Sequence, residues 1–295
     1  MDKNHFKKFI ALIGSGEETS KGMSRKESAD AMEQILKEQA SPAQIGAFMI
    51  AHRIRRPEPQ ELAGMLDTYL KLGPKINSKK GKNRPICFGM PLDGRCRTAP
   101  IFPLTTLILI SEGQPVVLHG GKRMPPKYGV STAELFKALG LDLEHLSLSQ
   151  VQNGFNKNDF ALINQPDHFQ LADNLIIYRD EIGKRPPLSS MELLWTAHRG
   201  NHLLVSGYVH FPTEERAWET LKIRGERHLL SIKGLEGSTD FPISRQCQAG
   251  ERHTEKGYKK IILKPNDYSY NGKDIPLNNL DEWKEQAIQA INAKG

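Results

Sequence analysis

The sequence predicts a two-part α/β protein: a small all-helical N-terminal domain over residues 1–72, then a larger α/β domain over residues 73–295 with a mainly parallel sheet. Three observations predict it. Residues 24–72 carry helix-start signals followed by apolar residues at helical spacing. A connector rich in Gly, Pro and Lys at residues 73–85 then breaks that pattern. Beyond it, short apolar runs alternate with helical stretches, the order that builds a parallel sheet.

Each element has a local reason. Ser24 with Glu27 three residues on forms a capping box, and Ala29, Met32, Ile35 and Leu36 supply the buried stripe that follows. Ser41-Pro42 opens a second helix with Gln44 in the reciprocal position. Ile45, Phe48, Met49 and Ile54 are its apolar face, and Pro57 should stop it at Arg56. A third helix starts near Pro59, carries Leu62, Met65, Leu66 and Leu70, and ends before Gly73-Pro74. Strands are expected over 86–89, 115–120, 160–163, 203–208 and 228–232. Helices are expected over 133–139, closed by Gly140, over 212–224 and over 280–293, with a buried helix over 104–111. The segment between 233 and 279 reads as polar tail.

Composition narrows the function classes. Hydrophobic content of 38% and charged content of 25% are those of a globular chain. No run approaches the roughly 18 apolar residues of a membrane helix. The best candidate, 101–110, is short and is interrupted by Pro103, Thr105 and Thr106. The first eight residues lack the apolar region of a signal peptide. Cys87, Cys96 and Cys247 have no metal-ligand spacing and read as free thiols in a reducing cytoplasm. The net charge of +7 suits a polyanion partner, or solubility alone.

The run Ser41-Pro42-Ala43-Gln44-Ile45-Gly46-Ala47-Phe48-Met49-Ile50-Ala51-His52-Arg53-Ile54-Arg55, followed by Glu61-Leu62-Ala63-Gly64, resembles the anthranilate phosphoribosyltransferases, which are type-3 glycosyltransferases. The likeness continues through His119-Gly120, Lys127-Tyr128-Gly129 and Ala138-Leu139-Gly140. It resumes at Tyr178-Arg179-Asp180-Glu181-Ile182-Gly183-Lys184-Arg185 and at Lys233-Gly234-Leu235-Glu236-Gly237, so it covers most of residues 20–240. The resemblance implies the fold shared with pyrimidine nucleoside phosphorylases and a helical segment near 165–190 that returns to the first domain. It also implies homodimers joined through the helical domains. Further helices would be expected after Gly295, so the α/β domain reads as shortened at its C-terminal end.

The family holds phosphoribosyl pyrophosphate on a G-T-G-G-D-G loop and an N-I-S-T segment, because glycines let backbone N–H groups approach phosphate oxygens. Here Met90-Pro91-Leu92-Asp93-Gly94-Arg95 and Pro100-Ile101-Phe102-Pro103 fall on those places. Proline donates no N–H, and isoleucine and phenylalanine side chains donate nothing. The family's Asn after His-Gly becomes Gly121, and its Ser-Ser pair becomes Pro125-Pro126. Its metal-binding Asp-Glu pair becomes Thr239-Asp240, leaving one carboxylate for a weakly held magnesium ion. Arg179 stands where the family arginine faces the acceptor carboxylate, the alternative being an ordinary exposed helix arginine. Asp93-Gly94-Arg95-Cys96-Arg97-Thr98 and His119-Gly120-Gly121-Lys122-Arg123-Met124-Pro125 are similar to a divergent branch of the fold that has been linked to nucleic-acid binding.

Arg95, Arg97, Lys122, Arg123 and Lys127 lie in two loops after parallel strands, the edge where such sheets bind ligands, and are expected to converge on phosphate beside His119. The alternative is scattered, solvated charge. His119 reads more readily as a packing and loop residue than as a base, and Tyr128 as a loop anchor or a base-stacking ring. A second basic group, Lys75, Lys79, Lys80, Lys82 and Arg84, reads as a solvated linker. A third, His52-Arg53-Ile54-Arg55-Arg56, reads as cations favouring a helix C-terminus. Three functions stay open. One is a non-catalytic relative that binds nucleic acid or a phosphorylated small molecule, needing no cofactor. The second is a working glycosyl or phosphoribosyl transferase with magnesium. The third is a regulatory paralogue.

Overall fold

The computed structural model describes residues 4–16, 18–78 and 83–293. The connector residues Lys79, Lys80 and Lys82 lie outside the described residues. Four helices come first: α1 (Asn4–Gly14), α2 (Arg25–Leu36), α3 (Pro42–Arg55) and α4 (Pro59–Leu72). Both expected capping boxes form, Ser24 with Glu27 and Ser41 with Gln44. α3 stops at Arg55, with Arg56 at a φ of 64° just before Pro57. α1 was not legible in the sequence; its Phe6, Phe9 and Ile13 are buried one above another on one face.

The α/β part runs β1 (Ile76–Asn77), β2 (Ile86–Gly89), α5 (Phe102–Ser111), β3 (Val116–Gly120), α6 (Thr132–Ala138), α7 (Leu148–Asn158) and β4 (Phe160–Asn164). Four short helices return to the helical bundle: α8 (Gln165–His168), α9 (Gln170–Asp173), α10 (Ile176–Glu181) and α11 (Leu188–Glu192). Then follow β5 (His198–Arg199), β6 (Leu203–Gly207), α12 (Phe211–Ile223), β7 (His228–Ile232), β8 (Cys247–His253), β9 (Gly257–Leu263) and α13 (Leu280–Ile291). The main sheet has the order β4-β3-β2-β6-β7-β8-β9, parallel from β4 to β7 and antiparallel from β7 to β9. A small parallel ribbon, β1 with β5, lies where the chain leaves α4.

Strand side chains alternate between two cores, as a period of two requires. Cys87, Val117 and Leu204 face the core that runs into the helical bundle. Their neighbours Phe88, Leu118 and Val205 face a second core closed by Phe136 and Trp283. Burial on both faces explains why these strands read as unbroken apolar runs.

Two expectations need correction. The stretch read as polar tail contains β8 and β9; β9 is an edge strand whose outward Lys259 and Lys260 disguise it. The helix expected to be buried over 104–111 is only half covered: Phe102, Pro103 and Thr106 are buried, while Ile108 is 64% exposed. No described helix is long and apolar enough to cross a membrane.

Gly64 marks the tightest helix crossing. A Cβ there would meet the Arg25 carbonyl oxygen at 2.1 Å and the Ala29 nitrogen at 2.9 Å, so α4 and α2 touch backbone to backbone. In an exposed helix, Gly→Ala gains roughly 1 kcal/mol. Here Gly64→Ala should instead cost roughly 1–3 kcal/mol through overpacking. A fall in the urea midpoint of unfolding is the expected result, and an unchanged or raised midpoint would show that the helices can separate.

Candidate functional site

The loop after β2 is built around a buried guanidinium. Arg95 is 2% exposed, and Gly94 before it turns at a φ of 75°. Arg95 Nη1 donates to Asp240 and, at 2.8 Å, to Ser238 Oγ. Nη2 donates to Thr98 Oγ1 and to the Thr98 carbonyl, and Nε to Glu236 Oε1 at 3.3 Å. Glu236 is equally buried, and it takes the donors that the loop offers. Its Oε1 accepts the N–H of Arg97 at 3.0 Å and of Thr98 at 2.9 Å, and Thr98 Oγ1–H at 3.0 Å. Asp240 Oδ2 accepts the Ile101 N–H at the start of α5. Burial pushes the Glu236 carboxyl up, but the Thr98 N–H, the Arg95 charge, the Arg97 N–H and the Lys127 charge outweigh it and hold it at about 2.

The loop has therefore not lost its backbone donors, as the prolines suggested. It presents them to an internal carboxylate, in the way such nests hold anions. The buried Arg95 likewise puts a positive charge against Asp240.

The expected phosphate residues separate on inspection. Arg95 is enclosed and paired, so it does not present itself to a ligand. Lys127 lies 3.6 Å from Glu236 and 3.9 Å from Asp93 and is mostly covered. Arg97 is 73% exposed, 3.8 Å from Glu236. Lys122 and Arg123 turn away to Asp173 and Glu134 at 2.9 Å each. His119 is buried against Trp195 with ring centroids 5.1 Å apart. Burial holds it down at about 4, so it is neutral at pH 7 and adds no positive charge. The five cations do not form one cluster.

The acceptor expectation fails on the same ground. Arg179 is 1% exposed and ion-paired with buried Glu192. The space lined by Glu192, His119, Tyr69, Phe169 and Trp195 holds about 10 Å³, no more than a water. Tyr128 donates its O–H to Asp180 at the mouth, as a loop anchor.

A more open concavity lies elsewhere. A groove of about 650 Å³ runs between the end of α3, residues 185–194 and the C-terminal end of β6. Arg53, Arg56, Arg185, Arg216 and His210 line it, with one carboxylate, Glu214, which accepts from Ser231 Oγ on its floor. Arg185 pairs with Asp93. Arg53 donates to the Arg185 carbonyl. Among the described residues, no carboxylate pairs with Arg53, Arg56 or Arg216. Burial and the like charge of Arg56 both lower the pKa of Arg216. The basic run at the end of α3 is thus divided: Arg55 reaches back to Glu58 and Glu61 as a structural tie, while Arg53 and Arg56 face the groove. Only the spacing of Arg53 and Arg56, three apart across Arg55, hinted at this in the sequence.

Residues 7–73 match the family model described as the helical bundle domain of the glycosyl transferase family. An anthranilate phosphoribosyltransferase of Pseudomonas putida KT2440 is 25% identical over 256 residues, 86% of this chain and 71% of that protein. An uncharacterized protein of Aquifex aeolicus is 24% identical over 235 residues, 80% of this chain and 69% of that one. The solved anthranilate phosphoribosyltransferase of Thermus thermophilus superposes with a TM-score of 0.75 at 18% identity, covering 100% of this chain and 84% of that one. The Saccharomyces cerevisiae enzyme, solved in complex with PRPP and Mg, gives 0.77 at 13% identity, covering 97% and 81%. The chain has the anthranilate phosphoribosyltransferase fold and resembles those type-3 glycosyltransferases in sequence. For this phosphoribosyltransferase-like chain the magnesium expectation at Asp240 meets a direct obstacle. Magnesium needs open carboxylate oxygens, and Asp240 Oδ2 is taken by Arg95 and by the Ile101 N–H, which leaves Oδ1 as the oxygen that carboxylate could offer an ion.

The carboxyl of Glu236 titrates at about 2 against its ordinary 4.5, so it stabilises the fold fully above about pH 4.5. That contribution is lost as pH falls from there through 2. Glu236→Gln should therefore be less stable than the parent at neutral pH, and the difference should shrink on acidification through that window. Urea unfolding at several pH values checks this; a gap that stays constant with pH would mean the carboxylate is not held by the loop.

Proposed function

We propose that this phosphoribosyltransferase-like chain does not work the family's donor site and instead binds a phosphate-rich polymer, a nucleic-acid backbone, in the groove lined by Arg53, Arg56, Arg185 and Arg216. The observation that carries the reading is the excess of arginines in that groove, three of them with no carboxylate partner among the described residues. Each guanidinium matches phosphate with a planar pair of donors. The repulsion between Arg56 and Arg216 is relieved when an anion enters between them. No helix-turn-helix, RNP sequence or zinc finger accompanies the groove, so binding should be independent of base sequence. Pairing of two copies through the helical domains would bring in a second groove.

Filter binding with single-stranded DNA, duplex DNA and RNA tests this. Binding should weaken steeply with salt, and Arg53→Ala/Arg56→Ala/Arg216→Ala should reduce the log–log salt slope by roughly 2–3. It should also lower affinity at least tenfold at about 50 mM salt. Absence of binding by the parent at that salt would remove the reading, and a phosphorylated sugar that competes at micromolar concentration would favour a small ligand instead.

A working transferase is the second reading. It draws on the carboxylates Asp93 and Glu236 beside Lys127, and on Asp240, which Arg95 ties to the same loop. It requires Arg95 to leave its buried site. Calorimetry with phosphoribosyl pyrophosphate and magnesium should give no heat at millimolar donor; heat that disappears in Asp240→Asn would restore the enzyme.

A further inference from the structure

The N-terminal edge of the sheet brings together a thiol and two imidazoles that come much later in the chain. One ligand atom each from Cys87, His198 and His202 lies within 4.8 Å of the other two, and all three residues are buried. Cys87 is the second residue of β2. His198 opens β5, and His202 immediately precedes β6. The strands fix their separation: Cys87 pairs with Leu204, and Ile76 with His198.

The hydrogen bonds around the rings leave lone pairs over. His202 Nδ1 lies 2.9 Å from the Gly200 carbonyl, which can only accept, so Nδ1 carries a proton and the neutral ring has its lone pair on Nε2. Glu226 Oε2 approaches that Nε2 to 3.7 Å. His198 Nε2 lies 2.7 Å from Ser78 Oγ. His198 Nδ1 is buried and has no hydrogen-bond partner among the described residues. A buried polar atom left unpaired is costly and asks for an explanation. Outer contacts of this kind, from a carbonyl or hydroxyl to the far ring nitrogen, are how metal-binding histidines are oriented.

We propose that Cys87, His198 Nδ1 and His202 Nε2 bind a zinc ion, and that Glu226, which stands beside His202 but outside the three-residue cluster, swings in as the fourth ligand. Zinc takes thiolate, imidazole and carboxylate together in tetrahedral sites, at bond lengths of roughly 2.0–2.3 Å. Ligand atoms on such a tetrahedron stand roughly 3.5 Å apart, so small side-chain rotations close the site. The charges balance: the ion's two positive charges meet one thiolate and one carboxylate, and a neutral centre is tolerated in a buried place. Cys87 releases one proton as the zinc enters. Arg199 and Arg224 nearby are already held, by the Leu70 carbonyl and by Asp67. The ion would join β2, the start of β6 and the β1–β5 ribbon through which the chain leaves the helical bundle.

The test uses the untagged full chain, stripped with chelator under reductant, dialysed with zinc chloride and then against metal-free buffer. Elemental analysis should find one zinc per chain. Cys87→Ser and His202→Asn should lose it, and Cys96→Ser, which removes the exposed thiol, should keep it. Cobalt substituted into the unaltered chain should show a thiolate-to-metal charge-transfer band, a readout that survives if the variants fail to fold. Zinc below a tenth per chain, or equal retention in Cys87→Ser, or a cobalt spectrum without that band, overturns the proposal.

Discussion

A buried guanidinium must be surrounded by negative charge and acceptors, and in this molecule Arg95 imposes that requirement on the whole C-terminal edge of the sheet. Asp240 and Glu236 are drawn in from the loop after β7. Glu236 adopts a φ of 54° there, a conformation a non-glycine residue rarely takes, so the contacts it gains must outweigh that strain. Arg95 also bridges to Val130, which fixes the loop after β3. Asp93, two residues earlier, reaches Arg185 on the returning segment. Removing one partner from such a pair typically costs about 3–5 kcal/mol, because the other charge is left buried and alone. The edge is therefore a single network in which no member can be withdrawn cheaply.

That network decides where chemistry can take place. A phosphate entering the loop after β2 must displace a carboxylate already bound by two backbone N–H groups and a guanidinium. A metal that takes both oxygens of Asp240 must displace a guanidinium. Both exchanges replace a satisfied internal contact by an external one of similar chemistry, so the ligand gains little. Arg53, Arg56 and Arg216 of the groove face no such competition. Fixed inside the network, Arg185 serves both, with its guanidinium on Asp93 and its carbonyl accepting from Arg53.

The fold was legible because its signals are local. Ser24 with Glu27 and Ser41 with Gln44 specify helix starts within four residues, and apolar runs such as 116–120 specify strands buried on both faces. α1 lacked a capping signal, and β8–β9 has an edge strand whose exposed lysines break the apolar run, so both went unread. The site was legible in only one respect: a carboxylate lost at Thr239 and an arginine gained at Arg95 are two halves of one exchange, visible only once they are placed side by side. Whether Lys122 pairs with Asp173 or faces solvent depends on a residue 51 positions away, and sequence counting pooled it with Arg95 for that reason.

Both edges of the sheet bear on the same wall of the groove. One side of the groove is α3, carried by the helical bundle; the other is the end of β6. The bundle joins the sheet through Gly73-Pro74-Lys75 into β1, which pairs with β5, and Arg199 of β5 holds the last turn of α4 by the Leu70 carbonyl. The relative placement of the two walls is thus set partly at the β1–β5 ribbon and partly where α12, which carries Arg216, packs on α4 with Arg224 paired to Asp67. A tie between that ribbon and β2, of whatever chemistry, would stiffen the spacing of Arg53 and Arg56 from Arg216. On the proposed reading the spacing of phosphates along a nucleic-acid backbone is also fixed, so such rigidity would help four separate arginines act as one binding surface.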